Sequence, residues 1–180
     1  MIALKKVPVN PLLSLILFFS IMLNSCGFQL NRNQIQLPEN AKSMSIDKIE
    51  NRSFVPRLDL DLKEVLVDLF ARNSVDLTNS NRADLSLSFE IIVTSTTKSE
   101  YALDSTNNQQ SYQFDFIISG ILNVMNLSKQ SMYIENTTIS GSYSIKTQSE
   151  DLTQTEIEEG RQKALADLGK KISTKLTQSF

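Results

Sequence analysis

The sequence predicts an α+β fold: a four-stranded mixed, largely antiparallel sheet with two helices on one face, in the order β-α-β-β-β-α. Three observations predict it. Long segments between Asp84 and Thr147 alternate apolar and polar residues, the period of a half-buried strand. One segment before them and one after repeat apolar residues at helical spacing. Each helical segment has a single apolar stripe, so both must bury it against one side of the same sheet.

Taken in order, residues 27–42 read as a tether that Leu37-Pro38 closes. Ser43 to Ile49 reads as the first strand, with Met44 and Ile46 on one face. Pro56 suits a helix start, where its missing N–H costs nothing. Arg57 to Asn73 then reads as a helix whose stripe is Leu58, Leu62, Val65, Leu66 and Leu69. Asp59 and Asp61 in its first turn and Arg72 in its last match the macrodipole. Asp84 to Thr97 should turn Leu85, Leu87, Phe89, Ile91 and Val93 to one face and Ser86, Ser88, Glu90 and Thr94 to the other. Lys98 to Ser111 reads as a long polar connection. Tyr112 to Asn126 and Ser131 to Thr147 form a hairpin around a turn at 126–130, with bulges expected near Gly120 and Gly141. The last helix, Thr155 to Thr177, carries the stripe Ile157, Ala164, Leu165, Leu168, Ile172 and Leu176. Thr153 and Glu156 fit a capping box at its start. The sheet face away from the helices should be largely polar and wet.

Composition removes several functions. The chain has no histidine, so catalytic triads and histidine acid–base chemistry are impossible. With a single cysteine as well, the usual zinc sites are excluded. A net charge of −2 gives no electrostatic footprint for nucleic acid. No glycine-rich phosphate loop is present. Ser95-Thr96-Thr97-Lys98 spells S-x-x-K, but at a strand end and without a later K-T-G. Asp59 and Asp61 do not face each other on a helix, so they serve its start rather than acid–base chemistry. No enzyme activity and no cofactor are expected. A hydrolase using only Asp, Glu, Ser and Lys is the remaining catalytic alternative.

The N-terminus reads as a secretory signal over residues 1–25. Lys5 and Lys6 precede an apolar run from Leu12 to Leu23, shorter than the roughly 20 residues that cross a bilayer. Leu23-Asn24-Ser25-Cys26 resembles the lipobox of bacterial lipoproteins. That resemblance implies cleavage before Cys26 and lipid on its thiol, followed by a lipidated tether over 26–42 and one domain over 43–180. Gly27 in place of an aspartate implies the outer membrane in a Gram-negative bacterium.

Further motifs resemble the lipopolysaccharide-assembly outer-membrane lipoprotein family (LptE-like). Cys26-Gly27-Phe28-Gln29-Leu30 is similar to that family's mature start. Leu37-Pro38 precedes the first strand, and Leu69 through Leu77 resembles its helix end and following short strand. Ala83-Asp84-Leu85 opens the next strand. Tyr101, Gln110 to Phe114, and Gly141-Ser142-Tyr143 continue the likeness. The resemblance implies a lipid-anchored protein on the periplasmic side of the outer membrane. It would plug and help assemble the β-barrel lipopolysaccharide translocon and bind lipopolysaccharide in transit. Lys98 and Lys146, at the ends of long strands, are then the candidate phosphate contacts. A structural or adhesive outer-membrane lipoprotein without lipopolysaccharide binding is the alternative.

Overall fold

The computed structural model describes residues 35, 37–102 and 110–178. The signal segment and Cys26 lie outside the described residues. The strands are β1 (Ser43–Asn51), β2 (Asp76–Leu77), β3 (Leu85–Ala102), β4 (Gln110–Asn126) and β5 (Ser131–Thr147). The helices are α1 (Leu58–Arg72) and α2 (Gln154–Gln178). The sheet has five strands, not four, in the order β2-β1-β3-β4-β5. The added strand, β2, pairs parallel with the start of β1 through two residues, too few to leave a periodic signal. β1 runs parallel to β3, and β3, β4 and β5 are antiparallel, so the sheet is mixed as expected.

Both helices cover one face. Leu58, Leu62, Leu66 and Phe70 of α1 are fully buried, as are Ala164, Leu165, Leu168, Ile172 and Leu176 of α2. They close over Met44, Leu85, Leu87, Phe89, Ile91, Leu122 and Val124. The predicted capping box is present: Thr153 Oγ1 accepts from the Glu156 N–H at 3.3 Å, and Glu156 accepts from the Thr153 N–H at 2.8 Å. α1 begins one residue later than expected, because Arg57 takes a left-handed φ of 67° and Pro56 lies in the preceding turn. The fold also begins before Ser43, since Leu37 is buried and a short 3-10 turn follows at Pro38–Asn40.

Asp84 pins the two parallel strands at their starts. Its carboxylate accepts from the N–H groups of Lys42 at 2.8 Å and Ser43 at 3.1 Å. Those two main-chain donors hold the carboxyl below its ordinary value.

One bulge reorganises β3. The register with β4 shifts between Ile91 and Val93, opposite Gly120 and Ser119. The extra residue lies on β3 rather than on the glycine strand. Before it, Leu85 to Ile91 alternate onto the helix face as expected. After it the parity reverses: Thr94 pairs with Ile118 and Thr96 with Phe116, both helix-facing, while Val93 is exposed. Val93 and Thr94 thus sit on the faces opposite to those the uninterrupted alternation predicts. No register shift occurs at Gly141, which stays opposite Ile118. That glycine instead makes room for α2: a Cβ there would meet the carbonyl oxygen of Ala164 and lie 2.5 Å from the Leu168 nitrogen.

The predicted connection from Lys98 to Ser111 is shorter than expected, because β3 continues to Ala102 and β4 starts at Gln110. Lys98, Ser99 and Glu100 continue the extended backbone there while exposed, so apolar alternation could not reveal it. The outer face carries the expected polar ladder, with Ser119 Oγ 2.7 Å from Ser140 Oγ and Ser144 donating to Asp115 at 2.5 Å. It also carries apolar groups that modify the expected wet face. Met125 and Met132 pair and are both exposed, and Ile117 and Ile121 are only half covered.

Candidate functional site

Lys98 follows the bulge, and the reversed parity carries it to the helix face, opposite Phe114. Its Nζ lies 4.4 Å from the centre of the Tyr112 ring and 3.5 Å from Glu150 Oε1. Lys146 pairs with Gln113, one step along β4 from Phe114. Successive residues of a strand point to opposite faces, so Lys98 and Lys146 occupy opposite sides of the sheet. They do not form one joint site. Without the bulge both would have shared the outer face.

The helix face around Lys98 gathers aromatic residues from the sheet and basic residues from α2. β4 lays Tyr112, Phe114 and Phe116 along it, and β5 adds Tyr143. α2 brings two cations to the same rings. Lys163 Nζ sits 4.7 Å from the Tyr143 ring centre and donates to its hydroxyl at 3.0 Å. Hydrogen bonds to Glu159 and to that hydroxyl hold the Lys163 amine above its ordinary value. Arg161 lines a depression of about 80 Å³ with Val55, Thr94, Thr96, Phe116 and Ile118. The aromatic side of this arrangement was legible in the alternation of β4. The basic side was not, because Arg161 and Lys163 reach it across tertiary space.

Each of these cations already has a carboxylate: Glu150 for Lys98, Glu158 for Arg161 at 3.1 Å, and Glu159 for Lys163 at 2.6 Å. These are pairs at the protein surface, where water screens the attraction, so an incoming phosphate can compete for the cations. The arrangement can bind an anion carried on an apolar or ring-bearing body. Among the described residues, no group of three or more His, Cys, Asp or Glu could hold a metal ion. Among them, too, no helix is long and apolar enough to cross a membrane.

A second missed feature is Phe54, which is fully exposed. The loop that presents it is fixed by Asn51, whose Oδ1 accepts from the Ser53 N–H at 2.9 Å and whose Nδ2 donates to the Val55 carbonyl at 2.7 Å.

No family model matches the chain, and neither does any curated protein sequence. Solved structures do resemble it. A minor lipoprotein from Acinetobacter baumannii is 14% identical with a TM-score of 0.44, covering 76% of this chain and 90% of its own. The rare lipoprotein B from Shewanella oneidensis is 12% identical with a TM-score of 0.39, covering 76% and 92%. PelC from Paraburkholderia phytofirmans, a dodecamer, is 10% identical with a TM-score of 0.49, covering 76% and 88%.

Proposed function

We propose that this protein is an outer-membrane lipoprotein, anchored through Cys26. It acts as plug and assembly partner of the β-barrel lipopolysaccharide translocon and binds lipopolysaccharide during export. One observation supports the reading: the family-like motifs keep their order along the chain and lie at the boundaries of its elements. Leu37-Pro38 precedes β1 by a short 3-10 turn, Leu69 to Leu77 spans the end of α1 and the short β2, and Ala83-Asp84-Leu85 opens β3. Asp84 has a physical reason to stand there, since it clamps β1 to β3.

The surface suits the role. A plug in a polar lumen needs hydrogen-bonding groups facing outward. Ser119, Ser140, Ser144 and Asp115 on the outer sheet face are of this kind. Lipopolysaccharide combines phosphates with sugar and acyl chains, and Lys98 beside Tyr112 and Phe114 offers a cation on an aromatic floor. Lys146 would contact lipid separately, from the other face.

The test is affinity isolation of the full lipidated chain from native outer membranes. The expected result is stoichiometric recovery of the translocon barrel protein. Normal barrel assembly and lipopolysaccharide export in cells lacking this chain would overturn the reading.

A further inference from the structure

The sheet has two long open edges, and the fold treats them differently. On β5, two of the main-chain groups that face outward are met by α2. Asp167 accepts from the Ser142 N–H at 2.9 Å, and Lys171 donates to the Ser140 carbonyl at 2.9 Å. On β3 the last neighbour is lost at Asn51–Ile91, where the Arg52 N–H bonds the Ile91 carbonyl at 2.9 Å. From Val93 to Ala102, β3 pairs only with β4. Among the described residues, no main-chain group bonds its other side.

The pairing tells which groups are left open. In an antiparallel ladder, alternate residues turn both N–H and C=O toward one neighbour or the other. Ser140 and Ser142 face outward on β5, so Gly141 and its partner Ile118 are bonded to each other. Ile118 therefore turns its groups away from β3. Its β3 partner Thr94 must then face the open side, and Thr96, Lys98 and Glu100 follow by alternation. The segment is rich in strand formers and contains no proline. An edge of this kind is a template for another strand.

We propose that the open edge of β3, from Thr94 to Glu100, receives an extended segment of a partner polypeptide as an added strand. An apolar side chain of that segment enters the depression between Val55, Thr96, Phe116 and Arg161. The proposal rests on the reading given above and makes the translocon barrel protein the strand's source. A second copy of this chain fits less well. Its own residues facing that side of the sheet, Thr94, Thr96, Lys98 and Glu100, offer no apolar side chain to the depression.

The test places a photo-crosslinking amino acid at position 96 in the full lipidated chain, co-expressed with the barrel protein. A second chain carries it at Lys63 on α1 as control. An adduct with the barrel protein from position 96 and none from position 63 is expected. Thr96→Pro removes an N–H that serves no ladder bond, so the fold should persist. Recovery of the barrel should then fall at least about tenfold. Should that variant unfold, amide exchange decides instead. Thr94, Thr96 and Lys98 exchange freely in the isolated chain and should slow at least about tenfold in the complex. An adduct of two copies of this chain overturns the proposal. Barrel recovery without an adduct, with Thr96→Pro or amide exchange unchanged, overturns the edge and leaves the plug reading standing. Failure of wild type to recover the barrel overturns both.

Discussion

The carboxylate of Asp167 on α2 accepts a hydrogen bond from the main-chain N–H of Ser142 on β5 at 2.9 Å. Lys171, one turn on, pairs with the same carboxylate at 2.8 Å. A helix side chain thus does for the strand edge what a neighbouring strand would do. Burial pushes the Asp167 carboxyl up, but Lys171 and the Ser142 N–H outweigh it and leave it below its ordinary value. Asp167→Ala should cost about 1 kcal/mol at neutral pH, the net worth of a hydrogen bond of this kind. Because the folded value is depressed, that contribution is present above the ordinary value of 3.8 and lost as pH falls through the folded one. Urea unfolding of both proteins at neutral pH and near pH 2–3 measures it. A difference that grows in acid would contradict the assignment.

Asp84 makes the same argument between strands. Its two main-chain donors tie the start of β1 to the start of β3. Asp84→Ala should cost roughly 1–2 kcal/mol and leave the amides of Lys42 and Ser43 exposed to exchange. Unchanged protection at both amides would mean that the parallel pairing alone holds them.

The core predicts larger losses. Leu66 and Leu168 are fully buried at the centres of the two helix stripes. Leu66→Ala and Leu168→Ala should each cost about 2–5 kcal/mol. Gly141→Ala tests the contact between β5 and α2, where a methyl group would strike helix backbone that cannot give way. Overpacking of this kind costs typically 1–3 kcal/mol, read as a fall in the denaturation midpoint. A Gly141→Ala protein as stable as wild type would show that α2 can lift off β5 without loss.

How much of this was legible follows from what sets each feature. The helix stripes at Leu58, Leu62 and Leu66 and at Ala164, Leu165 and Leu168 were visible because one-sided burial imposes its period on the sequence. The capping box of Thr153 and Glu156 was visible because both partners are local. β2 was hidden, since two residues cannot show a period. The bulge at Ile91–Val93 was hidden for a different reason. Ile91, Ile92 and Val93 are all apolar, so the sequence does not mark which is the inserted residue. That one residue decided where Lys98 points. Arg161 and Lys163 meet the β4 and β5 aromatics only through tertiary packing.

Cys26 offers a direct test of the anchor. It is the only cysteine, so lipid has no other thiol to occupy. Mass spectrometry of the mature N-terminus should find diacylglycerol and an acyl chain on Cys26, and Cys26→Ala should remove both. An unmodified thiol on the wild-type protein would remove the lipoprotein reading.

The opposite facing of Lys98 and Lys146 changes what charge reversal should show. A shared phosphate site would make the two reversals strongly non-additive, since losing either contact disables the site. Residues on opposite faces should act independently. We therefore expect Lys98→Glu to weaken lipopolysaccharide binding and Lys146→Glu to have a smaller, additive effect. Lys98 is favoured because Tyr112 and Phe114 supply a surface for the rest of the ligand, and Arg161 lies farther along the same face. The control position matters. Lys48 pairs with Glu50, and Glu50 stands opposite Glu90 across the strands. Reversing Lys48 would crowd three acids at the end of β1 and confuse binding with stability. Lys63, on the exposed side of α1, is the better control. Binding of the purified protein to lipopolysaccharide at low and moderate salt supplies the readout, because screening weakens phosphate contacts. Equal losses from Lys63→Glu, Lys98→Glu and Lys146→Glu would reduce the effect to net charge. Strong non-additivity of the two strand lysines would contradict their separation across the sheet.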